Sequence, residues 1–178
     1  MGNRPPRDLA LLDLIDAQPR TPFAGEAWRI VRAERDVRQG WPAGARWDPG
    51  RFDVLYTALE RDGALAEIHF HLSRQPVFPS KLRSILYRLR VVAQATLDLA
   101  DMAALARLGV PIEHYATLDY ARCQEIGDAA QFLGFDAILA PSARWPCRNL
   151  VLFTESLAVD AVTVTEQAPV DWGTWRGR

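Results

Sequence analysis

The sequence is poor in cysteine, lysine and long apolar runs, and each shortage excludes a class of protein. Its two cysteines, Cys123 and Cys147, form no C-x-x-C pair, which excludes a disulfide framework and is typical of a reducing cytoplasm. No apolar run approaches the ~20 residues of a transmembrane helix. Asp8, Asp13 and Asp16 interrupt the N-terminal apolar stretch, which therefore lacks the pattern of a signal peptide. We expect a cytoplasmic protein that does not bind membranes.

Several motifs that bind nucleotides or expose nucleophiles are also missing. The sequence contains no G-x-G pair, which excludes the Rossmann fingerprint, and no G-x-x-x-x-G-K-[ST] phosphate loop. No G-x-S-x-G elbow is present to expose a serine. The 21 Lys and Arg residues nearly balance the 22 Asp and Glu residues, so the formal net charge of −1 does not favour direct binding to nucleic acid. Lys81 is the single lysine, so arginine abundance by itself does not indicate phosphate binding.

The residues that are present are typical of one globular domain. The 178 residues are 49% hydrophobic and 24% charged, which suffices for a sizeable core. Apolar spacing predicts helices over residues 9–15, 58–72, 99–108 and 119–133. Strands are predicted over 27–32, 54–57, 87–93, 137–139 and 150–153, with an edge strand over 158–166. Strands and helices that alternate in no regular βαβ rhythm predict an α+β fold.

The chain divides into three segments by these patterns. We expect an N-terminal helix and lead-in over 1–25, the main domain over 26–166 and a flexible C-terminal tail over 167–178. Within the main domain, residues 36–51 (DVRQGWPAGARWDPGR) are loop-like, because glycines and prolines separate the tryptophans and arginines. Loops with aromatic and arginine side chains are typical binding loops.

One possible metal site needs to be weighed. Glu67, His69 and His71 alternate, and on a strand they would share a face as a set of two histidines and one carboxylate. On the helix predicted here, Glu67 and His71 share a face, whereas His69 points about 200° away from Glu67. We therefore predict no metal site and interpret both histidines as hydrogen-bonded residues near a helix end.

An ordered series of short motifs carries a family resemblance. These are W-R-I around Arg29, G-A-R-W-D-P-G at 44–50, V-L-Y-T-A at 54–58, A-L-A-E at 64–67, Q-E-I-G-D at 124–128, F-L-G-F-D at 132–136, P-S-A-R at 141–144 and N-L-V-L-F at 149–153. The chain resembles the RES domain family, most of whose members are toxins of bacterial toxin–antitoxin pairs. The resemblance covers residues 26–155. Asp48 departs from the pattern, since many members have Asn there.

The resemblance implies a single domain with a fold related to ADP-ribosyltransferases and an enzyme that consumes NAD+. Family members hydrolyse or phosphorolyse NAD+, or transfer ADP-ribose to a protein. Carried over by motif, the catalytic residues are Arg29, Tyr56, Glu67 and Ser142. Arg46 and Asn149 match further positions of the NAD+ pocket. No recycled cofactor is required, because NAD+ is the substrate.

The chemistry suits these residue types. Cleavage of the nicotinamide–ribose bond develops oxocarbenium character, which a carboxylate such as Glu67 stabilises. Arg29 and Arg46 can hold the pyrophosphate, and Tyr56 can stack on nicotinamide or donate a hydrogen bond to it. We expect short polar groups near strand ends, Ser142 and Asn149, to hold the amide or a ribose.

Each of these residues also has an ordinary structural explanation when taken alone. Arg29 can face solvent from a strand, Glu67 can lie on a helix surface, and Ser142 after a proline can cap a turn. Only the occurrence of all the motifs in the order found in the family favours a functional role over these structural explanations. A non-catalytic protein with the same fold and a metal-dependent enzyme remain as alternatives.

The resemblance also implies a partner. RES toxins pair with a helix-turn-helix, Xre-like antitoxin that covers the active site, and the toxin can form a homo-oligomer within that complex. The resemblance leaves three alternatives for the acceptor of the ADP-ribosyl group: water, phosphate and a protein.

Overall fold

The computed structural model describes residues 6–79, 81–99 and 101–175. Its helices are α1 Leu9–Asp16, α2 Arg61–Ser73, α3 Met102–Arg107, α4 Ala121–Phe132 and α5 Trp172–Trp175. Its strands are β1 Arg20–Arg32, β2 Val54–Ala58, β3 Ser84–Asp98, β4 Ala137–Pro141, β5 Arg148–Phe153 and β6 Val162–Pro169. The predicted α+β class is confirmed.

The strands form a sheet that nearly closes on itself. β3 pairs antiparallel with β1 along most of its length, while its C-terminal end pairs parallel with β4. β4 continues to β5, and β5 to β2, both antiparallel. β2 then meets β1 at a single register pair, Trp28 with Ala58, and β6 lies outside, on the other edge of β3. The ring of strands is therefore split between β1 and β2.

Two strands, β1 and β3, are about twice as long as the sequence predicts. β1 begins at Arg20 rather than residue 27, although Pro22 and Gly25 lie within it. A register shift between Thr21 and Phe23 accommodates the proline, which cannot donate to the ladder. β3 extends to Asp98 because it has neighbours on both edges, which local patterning does not reveal.

The C-terminal segment is more ordered than expected. Gln167 pairs with Tyr87 of β3, so β6 continues into residues for which the sequence predicts a flexible tail. Trp172 is 4% exposed, and its indole N–H donates to Ser84 Oγ at 3.4 Å. The sequence predicts a flexible tail over 167–178, whereas the structure places Pro169 at the end of β6 and Trp172–Trp175 in α5, with Trp172 buried. Residues 176–178 lie outside the described part of the chain.

Residues 44–50 form a tight loop that packs against α4. Trp47 is 2% exposed, and Asp48 Oδ2 accepts hydrogen bonds from the backbone N–H groups of Gly44 at 2.7 Å and Ala45 at 3.4 Å. Gly127 of α4 lies so close that a Cβ there would be 1.9 Å from the carbonyl oxygen of Trp47. Only glycine allows this contact, which fixes the loop at its place in the fold.

Gly127→Ala should lower the free energy of unfolding by about 2 kcal/mol, because the added methyl group must displace backbone. Gly63→Ala is the matched control on α2, since its Cβ would meet the Cys147 thiol, a side chain that can rotate away. Urea unfolding followed by tryptophan fluorescence measures both changes. Equal stability of the two variants would contradict the proposed close contact.

Membrane insertion finds no support in the helices. Among residues 6–79, 81–99 and 101–175, no helix is long and apolar enough to cross a bilayer.

Candidate active site

A cavity of about 200 Å³ opens where the sheet splits between β1 and β2. Aromatic and charged side chains from both strands, α2, the 44–50 loop and β5 converge on it. Among its lining residues are Trp28, Arg29, Trp41, Arg46, Tyr56, Glu67, His71, Tyr120, Arg144 and Asn149. Five of the six predicted site residues therefore line one cavity, although they come from distant parts of the sequence.

Glu67 is the single carboxylate in the lining of this cavity. It lies on α2, which packs against β1 and β2. Its Oε1 accepts two hydrogen bonds, from Ser142 Oγ at 2.6 Å and from Asn149 Nδ2 at 2.8 Å. Its Oε2 accepts none from the residues that the structure describes. One oxygen orients the carboxylate and the other is left for a ligand.

Ser142, the sixth predicted residue, does not line the cavity and is 9% exposed. Besides donating to Glu67, its hydroxyl oxygen accepts from the backbone N–H groups of Arg144 at 3.1 Å and Trp145 at 3.3 Å. A hydroxyl has one donor and two acceptor sites, so all three are occupied. Ser142 therefore holds Glu67 and the β4–β5 turn, and its hydroxyl has no hydrogen-bonding capacity left for an amide or a ribose.

Arg29 is an almost fully buried cation, 4% exposed, at the split in the sheet. Its Nη1 donates to the carbonyl oxygen of Tyr56 at 2.9 Å, while buried Nε and Nη2 have no partner among the described residues. Burial, helped by repulsion from Arg35, lowers the pKa of Arg29 to about 10, so it stays charged at neutral pH. A desolvated guanidinium with two unused donors fits an anionic ligand.

Tyr56 and Asn149 also contribute polar atoms to the residues that line the cavity. Tyr56 Oη accepts from the backbone N–H of Trp47 at 2.9 Å, and burial raises the pKa of the tyrosine well above its usual value. The hydroxyl therefore keeps its proton and can donate it in a hydrogen bond. Asn149 Oδ1 is buried without a partner among the described residues, so it can accept from an amide or a hydroxyl.

Arg46 is held between two aromatic rings at the edge of the cavity. Its Cζ lies 4.4 Å from the ring centroid of Tyr115 and 4.7 Å from that of Tyr120. Nη2 is 3.4 Å from the carbonyl oxygen of Thr117, and Nη1 is buried with no partner within the described ranges. Stacking fixes the guanidinium plane and leaves donors for an anion.

Asp48, where the sequence departs from the family pattern, does not line the cavity. It is fully buried, and burial raises the pKa of its carboxyl despite the hydrogen bonds from the Gly44 and Ala45 backbone. Its role in the structure is to close the 44–50 loop that carries Arg46.

The three residues of the alternative metal site do not converge. Glu67 and His71 both line the cavity, but the His69 ring lies against Phe78 and Trp172, 5.6 Å and 6.2 Å between centroids. All three belong to α2, so the helical geometry separates them as predicted. Within the described parts of the chain no group of three such side chains could hold a metal ion.

Sequence reasoning missed several lining residues. The sequence assigns no individual role to Trp41, Tyr120 or Arg144, and it presents His71 only as a candidate metal ligand or a hydrogen-bonded residue near a helix end. For Arg144 a signal existed, since it is the arginine of the P-S-A-R motif that also supplies Ser142.

The fold is that of a solved bacterial toxin. The structure matches the Mycobacterium tuberculosis MbcT–MbcA toxin–antitoxin complex with a TM-score of 0.85 at 22% identity, over 95% of this chain and 96% of that one. The RES domain family profile matches residues 26–173, so the chain belongs to the RES domain family.

Two relatives of the chain are described as a probable NAD(+) phosphorylase and an NAD(+) phosphorylase. It is 32% identical over 156 residues to the probable NAD(+) phosphorylase Rv3189 of Mycobacterium tuberculosis, covering 84% of this chain and 74% of the relative. It is 29% identical over 143 residues to the NAD(+) phosphorylase MbcT of Mycobacterium bovis, covering 76% and 77%.

Proposed function

We propose that this protein cleaves the nicotinamide–ribose bond of NAD+ and transfers the ADP-ribosyl group to inorganic phosphate. The observation that carries the proposal is the pairing, in one cavity, of an oriented carboxylate with a buried guanidinium that has unused donors. Glu67 provides the negative charge that an oxocarbenium-like transition state needs, and Arg29 provides positive charge for a phosphate group. The names of the relatives support the choice of NAD+ and of phosphorolysis.

Glu67 acts on the ribose in this proposal. Its Oε2 binds a ribose hydroxyl and stabilises positive charge at the anomeric carbon as the bond to nicotinamide lengthens. Nicotinamide leaves as a neutral molecule, so no general acid is needed. Ser142 and Asn149 do not need to reorganise during the reaction, since both already donate to Oε1.

Four other lining residues position the dinucleotide in this proposal. Arg29 and Arg46 bind the pyrophosphate with fixed, planar donors. Tyr56 contributes an aromatic face and a hydroxyl donor at the nicotinamide, and Asn149 Oδ1 accepts from the carboxamide or from a ribose hydroxyl. These assignments use the donors and acceptors that lack partners in the described protein.

Nicotinamide release by the purified chain tests this function. We expect NAD+ consumption that rises with added phosphate and yields ADP-ribose 1″-phosphate, resolved from ADP-ribose by anion-exchange chromatography. Equal rates with and without phosphate, with ADP-ribose as the product, would identify a hydrolase. If the folded protein releases no nicotinamide, the proposal that it cleaves NAD+ with phosphate as the acceptor is contradicted.

Ser142→Ala should lower kcat about tenfold while the KM for NAD+ stays within about twofold, because Ser142 positions Glu67 without touching substrate. Ser156→Ala, an exposed serine removed from the cavity, is the matched control. Steady-state kinetics of nicotinamide release separates the two parameters. A raised KM with unchanged kcat would assign Ser142 to substrate binding.

We propose further that the protein is the toxin of a toxin–antitoxin pair. The support is the family, most of whose members are such toxins, together with the solved relative, which is described as a toxin–antitoxin complex. A helix-turn-helix antitoxin that covers the cavity would block NAD+. Growth arrest with NAD+ depletion on expression of the chain, relieved by co-expression of the protein from the adjacent gene, tests this.

A further inference from the structure

Arg144 is held near Glu67 by contacts that do not pair its guanidinium with a carboxylate. Its backbone N–H donates to Ser142 Oγ, and its guanidinium lies over the Phe70 ring, with Cζ 3.4 Å from the ring centroid. Phe70 follows Glu67 on α2 by about one helical turn. Stacking on a ring fixes the plane of the guanidinium and leaves its in-plane N–H groups available.

The electrostatics of this corner favour an anion. Three arginines and one carboxylate line the cavity, and Arg144 forms no ion pair with any described acidic residue. Burial lowers the pKa of Arg144, and repulsion from Arg46 and Arg74 adds to the effect, while Glu67 opposes it. A bound anion would relieve that repulsion.

The dinucleotide alone does not use all of this positive charge. Each phosphate of the NAD+ pyrophosphate carries a negative charge, and Arg29 and Arg46 are the two arginines of the cavity lining with buried donors that have no partner among the described residues. Arg144 is the third arginine, and it is linked through Ser142 Oγ to Glu67, the carboxylate that acts on the ribose in our proposal.

We propose that Arg144 binds the acceptor phosphate and thereby makes the enzyme a phosphorylase rather than a hydrolase. The inference rests on the proposed function. In the step, an oxygen of hydrogen phosphate forms a bond to the ribose C1″ as the bond from C1″ to the nicotinamide nitrogen breaks. The bonding pair leaves on neutral nicotinamide, and the phosphate proton stays on the product. Arg144 holds the attacking phosphate against the negative charge of Glu67, which would otherwise repel it.

The test compares Arg144→Gln with Arg74→Gln by nicotinamide release at varied phosphate and varied NAD+. Arg74 is the matched control, because it lies near the same Phe70 ring, at 5.6 Å from the centroid, but does not line the cavity. Arg144→Gln should raise the KM for phosphate at least ~10-fold, with the KM for NAD+ within about threefold, as expected from losing a charged hydrogen bond to one ligand only. Arg74→Gln should change the KM for phosphate less than about twofold, as for an exposed charge.

Arg144→Lys keeps the positive charge on a side chain of similar length and is a control for loss of folding in Arg144→Gln. It should have a lower KM for phosphate than Arg144→Gln. The inference is overturned if the two glutamine variants have the same KM for phosphate, or if Arg144→Gln raises only the KM for NAD+. Failure of the inference is thus distinct from failure of the proposed function. If the wild-type chain releases no nicotinamide at any phosphate concentration, both the proposed NAD+ phosphorolysis and the role of Arg144 in it are contradicted.

Discussion

Glu67→Gln should reduce kcat for nicotinamide release at least ~100-fold, the scale of losing one preorganised electrostatic stabiliser in a desolvated site. The substitution preserves shape and removes the charge. It also places an amide where Ser142 Oγ and Asn149 Nδ2 both donate to Oε1, so the amide oxygen must take that position and the NH₂ group faces the ribose. A donor then stands where the oxocarbenium needs negative charge.

Glu60→Gln is the matched control for this experiment. Glu60 immediately precedes α2, accepts from the Trp145 indole N–H at 3.2 Å and does not line the cavity. Its substitution should leave kcat within about twofold, as for an exposed charge. Near-wild-type turnover of Glu67→Gln would remove the carboxylate from the mechanism, whereas equal losses in both variants would indicate a general effect of charge on α2.

Arg29→Met should raise the KM for NAD+ about 100-fold, because two charged hydrogen bonds to the pyrophosphate are lost. The same change should leave the free energy of unfolding unchanged or raise it by about 1 kcal/mol, since a buried and only partly paired cation opposes folding. Methionine fills a similar volume without charge. A raised KM for NAD+ with no decrease in the free energy of unfolding would show that Arg29 serves ligand binding rather than folding.

Arg32→Met on the same strand is the matched control, because Arg32 is exposed and does not line the cavity. We expect wild-type kinetics from it. Nicotinamide-release kinetics and urea unfolding of both variants separate the two readouts. An Arg29→Met protein that loses more than about 2 kcal/mol of stability, with no separate effect on NAD+, would show that the guanidinium is structural through its bond to the Tyr56 carbonyl.

The elements of this fold were largely predictable because they are encoded locally. The β-branched and aromatic residues of β2 and the apolar spacing of α4 predict both elements within a few residues of their observed bounds. The extents of β1 and β3 were not predictable, because Pro22 and Gly25 are ordinary strand breakers. Only the pairing of β1 with β3 overrides them.

The candidate site was predictable only through the family motifs. In the structure, Arg29, Tyr56, Glu67 and Asn149 line one cavity, yet each has an unremarkable local context in the sequence. Their catalytic roles stay predictions. The Ser142 hydroxyl accepts hydrogen bonds from the backbone N–H groups of Arg144 and Trp145 in the β4–β5 turn. No periodicity or spacing in the sequence indicates this arrangement.

The order of the strands along the chain also bears on when the proposed activity can begin. Arg29 and Glu67 leave the ribosome early, but the two groups that orient Glu67 belong to Ser142 and Asn149, near the end of the chain. β2, whose Tyr56 carbonyl holds Arg29, likewise lacks its β5 partner until then. We therefore expect a nascent chain that lacks β4 and β5 to be inactive, because long-range pairing must precede assembly of the site. The proposed activity can then begin only after the residues that orient Glu67, Ser142 and Asn149, have been synthesised.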